Sequence, residues 1–154
     1  MLFTPENREF TLIMALILAL HLAASSHIVW PPPRYLACYG PPLRIDSALT
    51  ISSAHKSDRL ERAILRTSTE LRAWASGAKQ LANAPSLSKV NIEVTSPTQE
   101  DEVGVSERTA YNYSIQASPA GVVIRAPSIY GAMYGLESLT QLVDASNGML
   151  LVRP

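Results

Sequence analysis

The chain has one cysteine, Cys38, in 154 residues, so no disulfide can close within it. A domain of this size needs none if its core is adequate. Cys38 sits in the apolar run RYLACYG, where a cysteine serves as a small buried hydrophobe. No base stands near it in sequence to make it a nucleophile. Charge is scarce too, at 17% of residues against the usual quarter. Lys+Arg and Asp+Glu are equal at 13 each, which excludes the one-signed field that draws nucleic acid or an acidic membrane surface. No internal repeat or low-complexity tract occurs. His21, His27 and His55 have no second metal ligand at a useful spacing, and no nucleophile elbow is present. The residues imply no metal and no cofactor.

A full membrane span is also lacking. The apolar run at 11–22, TLIMALILALHL, is shorter than the ~20 residues a spanning helix needs. Small residues follow it, Ala23, Ala24, Ser25 and Ser26. That order, an apolar core and then a small-residue cleavage zone, is the form of a secretory signal peptide. It divides the chain into a leader at 1–26, cut near 24–26, and a mature domain at 27–154. The expected location is the secretory pathway, ending outside the cell or in a lysosome- or vacuole-like compartment. Glu6 and Glu9 beside Arg8 leave the leader's start without clear positive charge. An uncleaved anchor, with membrane contact, or a buried segment therefore stays open.

What is present is alternation and helical periodicity. IVWPPPR at 28–34 is expected to be extended, because three prolines exclude a helix. A short strand is expected at 35–39, a turn at 40–42, a strand at 43–45 pairing back as a hairpin, and more strand at 49–52. A helix is expected at 57–78. Ser57 caps it, Asp58 and Glu61 favour its first turn, and Leu60, Ile64, Leu71, Trp74 and Ala75 make its apolar stripe, with Ala63 and Leu65 beside it. Arg59, Arg62, Arg66, Glu70 and Arg72 read as its solvated face. KVNIEVT at 89–95 alternates as a half-buried strand. A polar loop covers 96–108. AYNYSIQA alternates again, with Tyr111, Tyr113, Ile115 and Ala117 on one side. Pro119-Ala120-Gly121 turns the chain into VVIRA at 122–126. A second helix spans 128–145, then Asn147-Gly148 turns into a last strand, MLLV. The fold class is α+β: a largely antiparallel sheet with two long helices packed on one face.

The second helix carries YGAMYGLESLTQLV at 130–143. Two glycines inside a helix cost about 1 kcal/mol each against alanine, so something must require them. Gly131 and Gly135 are one turn apart and share a face, where a second backbone can come close. Met133, Leu136, Leu139, Leu142 and Val143 widen the apolar surface. Gly131, Met133, Gly135, Leu136 and Leu139 are thus the candidate packing or interface residues. They can serve the chain's own sheet, a partner, or both.

These residues carry a resemblance. The alternating strand from Val90, the Y-x-Y-x-I strand, GVVIRA and the glycine-bearing helix together look like the N-terminal domain of β-N-acetylhexosaminidases, the family 20 glycoside hydrolases. The family's helix motif resembles an aromatic followed by G-A-hydrophobe-x-G-L-E-[ST]-x-x-Q-L. Tyr130, Gly131, Ala132, Met133, Gly135, Leu136, Glu137, Ser138, Gln141 and Leu142 fit it position by position. VWPPPR also resembles the W-P-x-P opening of the eukaryotic enzymes. The resemblance implies a domain whose helices lie between its sheet and a catalytic TIM barrel that removes terminal N-acetylglucosamine or N-acetylgalactosamine from glycans. The expected partner is that barrel, and glycan is reached only through it.

The chemistry that goes with the family is missing. Its catalytic Asp-Glu pair follows H-x-G-G on the barrel, where the substrate's own acetamido group is the nucleophile. A barrel takes roughly 250 residues, and none is expected within these 154. Asp101-Glu102 is preceded by Pro97, Thr98, Gln99 and Glu100, which is not that motif. With Glu107 these acids read as a solvated loop. The chain alone is therefore expected to have no catalytic residues. It reads as the accessory domain of such an enzyme, with a stand-alone secreted binding module as the alternative. Asn112-Tyr113-Ser114 is an acceptor sequence for N-glycosylation, with Asn112 opposite Tyr111 and Tyr113 in an expected strand.

Overall fold

A computed structural model describes residues 29–30, 32–35, 37, 41–77, 83–96 and 109–150. The expected leader, Cys38, and the acidic residues Glu100, Asp101, Glu102 and Glu107 lie outside the described residues. The elements run β1 (Leu43–Ser53), α1 (Asp58–Gly77), β2 (Ser86–Val94), β3 (Ser114–Ser118), β4 (Gly121–Ala126), α2 (Ile129–Gln141), β5 (Val143–Asp144) and β6 (Met149–Leu150). They form one six-stranded sheet in the order β3-β4-β2-β1-β6-β5.

The fold is α+β. Three of the five strand pairings are antiparallel, β3–β4, β1–β6 and β5–β6. The other two, β1–β2 and β2–β4, are parallel and sit at the centre. Alternation in a sequence reports which face a side chain takes, not which way a strand runs. It therefore could not reveal this centre. Parallel neighbours need a crossover, and α1 supplies it between β1 and β2.

Both helices cover one face. Partnered residues of parallel strands share a side. Val90 and Val122, Ile92 and Ile124, and Val94 and Ala126 pair in this way, and all but Val94 are buried in the core. From the helices come Leu60, Ala63, Leu71 and Ala75, and Ile129, Ala132, Leu136 and Leu139. The opposite face is polar: Arg125 Nε donates to Glu93 at 2.6 Å and Arg125 Nη1 to Gln116 at 3.1 Å. One face apolar and one wet accounts for the two-residue period.

Asx chemistry makes β1 one long strand rather than the expected hairpin followed by a separate strand. Its register against β2 shifts between Ile45 and Thr50. At that irregularity Asp46 accepts from the Ala48 N–H at 2.8 Å and from the Ser86 hydroxyl at 2.9 Å. Arg72 reaches back from α1, donating through Nε and Nη2 to the Leu49 carbonyl at 2.8 and 2.6 Å. Arg72 is thus a clamp on β1 rather than only part of a solvated face. At 35–39 the described residues Tyr35 and Ala37 are not in a strand; β1 takes β6 as its antiparallel neighbour instead.

The bonds to Asp46, the Ala48 N–H first, then the Ser86 hydroxyl and the nearby Arg44 charge, hold its carboxyl below the usual carboxylate range. A depressed folded-state value contributes stability above the unfolded value, which is lost as pH falls through the folded one. Thermal melts from pH 5 down to about pH 3 should therefore show a smaller acid-induced loss in Asp46→Ala than in the parent. Equal losses in both would mean that Asp46 does not fasten the irregular turn of β1.

Candidate functional site

α1 starts as expected. Ser57 Oγ accepts from the Leu60 N–H at 3.5 Å, and its carbonyl takes the Glu61 N–H. Leu60, Ala63, Leu71 and Ala75 are buried, and Ile64 and Trp74 pack against the core from its margin. Leu65 departs from the expectation: it is 67% exposed on the outward side. Thr67 and Ser68 are buried instead, and the Ser68 hydroxyl donates to the Leu65 carbonyl at 3.0 Å.

α2 is where the glycine motif can be taken apart residue by residue. Ser128 is its N-cap, extended at φ −131°, ψ 165°, and accepts from the Gly131 N–H. The same hydroxyl donates to the Ala110 carbonyl, tying the helix start to the segment at 109–113. Its residues 110–113 were expected to be strand. Instead it leaves the sheet and passes against α2 before β3 begins at Ser114. Gly131 makes the passage possible. A Cβ there would lie 2.6 Å from the Asn112 carbonyl oxygen and 3.1 Å from the Ala126 Cβ. One turn on, a Cβ on Gly135 would lie 2.5 Å from Ile124 Cγ2 and 3.4 Å from the Tyr113 ring. The two glycines admit the chain's own segment and its own sheet.

Leu136, Ser138, Leu139 and Gln141 are also occupied within the domain. Leu136 and Leu139 are core residues. Ser138 Oγ hydrogen-bonds the Tyr113 hydroxyl. The Gln141 carboxamide pairs both ways with the Trp30 backbone: Trp30 N–H donates to its Oε1 at 2.6 Å, and its Nε2 donates to the Trp30 carbonyl at 3.2 Å. The two ends of the family resemblance, the W-P opening and the helix motif, thus meet through this amide. The helix stops at Gln141, four residues earlier than expected, because Val143 and Asp144 are taken into β5. Asp144 then organises the turn, accepting from Ser146 N–H and Asn147 Nδ2, with Gly148 at φ +62°, a value glycine adopts readily.

The outward side of α2 carries the feature that periodicity did not single out. Tyr111, Tyr130 and Tyr134 cluster there, with ring centroids 6.3 Å apart for Tyr111–Tyr130 and 5.7 Å for Tyr111–Tyr134. Tyr111 and Tyr134 are 43% and 45% exposed. Arg59 of α1 lies 5.9 Å from the Tyr130 ring centre and donates to its hydroxyl. Seven residues further along each helix, Arg66 faces Glu137 at 4.0 Å. Two such contacts in the same order mean that the helices run in the same direction, as the parallel strands preceding them require. The Arg66–Glu137 pair is exposed on both sides and contributes little by itself. Met133 is partly buried against the core.

Among the described residues no group of three His, Cys, Asp or Glu could hold a metal, and no helix is long and apolar enough to cross a membrane. His55 stands alone at the turn after β1, its backbone N–H on Ser53 Oγ.

Comparison with known proteins agrees with this architecture. A family model described as "beta-acetyl hexosaminidase like" matches residues 29–142, well over half of the chain. The chain belongs to that family. Among solved structures it is similar to the chitobiase of Flavobacterium johnsoniae, at TM-score 0.53 and 20% identity, over 76% of this chain and 18% of that one. At that identity the likeness is one of fold, and the chain spans less than a fifth of the chitobiase's length. No curated protein matches.

Proposed function

We propose that this chain is the non-catalytic N-terminal domain of a β-N-acetylhexosaminidase-like glycoside hydrolase of the eukaryotic type. On this reading it enters the secretory pathway and is inactive without a catalytic TIM barrel. The whole enzyme would remove terminal N-acetylglucosamine or N-acetylgalactosamine from glycans. The observation that carries the reading is the use made of the motif on α2. Gly131, Gly135, Leu136, Ser138, Leu139 and Gln141 are spent on internal packing and hydrogen bonds. What α2 leaves outward is an aromatic surface of Tyr111, Tyr130 and Tyr134. Tyr111 and Tyr134 are its exposed members, while Tyr130 is partly buried with its hydroxyl on Arg59. Exposed tyrosines with an apolar body and a polar tip are suited to an interface, and we assign that surface to the barrel.

One observation favours a second reading, a stand-alone secreted module. Leu136 and Leu139 are covered by the chain's own core, so this helix needs no partner to bury them. Titration calorimetry against a family 20 barrel from the same organism separates the two. Binding that is lost in Tyr134→Arg, at unchanged melting temperature of the chain, supports docking. A folded chain that binds no such barrel would move the stand-alone module ahead.

A further inference from the structure

We propose that Asn112 carries an N-linked oligosaccharide that shields the open edge of the sheet. Asn112-Tyr113-Ser114 is the single acceptor sequence of this type in the chain. The structure shows how its three residues divide. Tyr113 turns inward, with its hydroxyl on Ser138 and its ring beside Gly135. The main chain of Asn112 is held against α2, its carbonyl lying where a Cβ on Gly131 would fall. Asn112 and Ser114 flank this anchor and are both exposed; Tyr111, expected on the same side as Tyr113, is exposed as well. Nothing among the described residues hydrogen-bonds the Asn112 carboxamide. The acceptor is therefore fixed in position, outside any strand, with its nitrogen free.

The transfer balances with a lipid-pyrophosphate-linked oligosaccharide as donor. Asn112 Nδ2 bonds to the sugar's anomeric carbon, the bond from that carbon to the pyrophosphate oxygen breaks, and the nitrogen gives up one proton as the lipid pyrophosphate leaves. Asn112 stands two residues before β3, which is the edge strand among the described residues. β3 is five residues long, and four of them are exposed. An unpaired edge is a template for aggregation that proteins commonly cover. A bulky, hydrated glycan at its start would cover it.

The inference rests on entry into the secretory pathway, so its test separates the two. The full chain is expressed in insect cells, once with residues 1–26 and once with a proven signal peptide in their place. Peptide mass spectrometry after peptide-N-glycosidase treatment should find Asn112 converted to Asp. The glycosidase-sensitive gel shift should vanish in Asn112→Gln and in Ser114→Ala. Modification with the substituted leader alone would fault the secretory reading and leave the site standing. Secreted chain whose Asn112 peptide is wholly unmodified under the substituted leader overturns the site. Enzymatic removal of the glycan from folded protein should hasten aggregation on heating, and an unchanged rate overturns the shielding role.

Discussion

Gly135→Leu should lower the stability of the domain by about 1–3 kcal/mol, the usual cost of overpacking a filled core. The direction is the informative part. At an exposed helix position glycine is the poorer helix former by about 1 kcal/mol, so replacing it would stabilise. Here the first added atom already falls 2.5 Å from Ile124 Cγ2, inside any tolerable contact. Ile124 is itself fully buried and paired in register with Ile92 at the sheet centre, so it has nowhere to go. Gly131 should behave alike for a different reason. The obstacle there is the Asn112 carbonyl, and backbone cannot rotate away as a side chain can. Even Gly131→Ala should therefore fail to show the gain that helix propensity offers. Denaturant unfolding of the variants reads both effects. A Gly135→Leu protein as stable as its parent would mean that α2 does not lie against β4 as described.

Truncation from the same helix should cost more. Leu136→Ala is expected to destabilise by about 2–5 kcal/mol, the lost transfer energy of the side chain plus the cavity left behind. Leu136 is 1% exposed, with its neighbours Ile129, Ala132 and Leu139 completely buried. Surroundings so fully packed relax little into a void. In a domain this small, each kcal/mol lowers the melting temperature by several degrees. The change should be readily seen in a thermal melt. A loss no larger than that of an exposed control such as Glu137→Ala would place Leu136 outside the core and would contradict the packing of α2 on the sheet.

How much of this could be read in the sequence varied with the range of the interaction. Local signals were reliable. Ser57 capped α1 as expected, and the alternation through Val90, Ile92 and Val94 gave a strand with the right residues facing in. Pro119-Ala120 made its turn. Signals that depend on distant partners were not legible. Nothing at Gln141 announces that its amide will pair with the backbone of Trp30, 111 residues earlier. Nothing at Arg72 announces the Leu49 carbonyl. The segment at 109–113 continued the alternation of β3, yet the chain there answers to Gly131 and Ser128 rather than to a neighbouring strand. The hairpin expected at 43–45 gave way for a related reason. Asp46 lets β1 absorb extra residues without ending, and a continuous strand with a local irregularity resembles two short strands when only residue types are visible. The glycine pair showed that something comes close to α2, but not what. The structure answers with the chain's own Ile124 and Asn112 carbonyl. The tyrosine cluster was not legible in the sequence, because Tyr111 lies outside the helix that bears Tyr130 and Tyr134.

On the proposed reading, this domain belongs to an enzyme whose reacting groups lie in a catalytic barrel. The most direct measurement is turnover of an aryl N-acetyl-β-glucosaminide by the purified chain. The expected rate equals the blank, since the family's acid and its acetamido-orienting carboxylate belong to the barrel. Turnover above the blank that disappears in Glu102→Gln would contradict it, because the chain's own acidic segment would then be doing the chemistry.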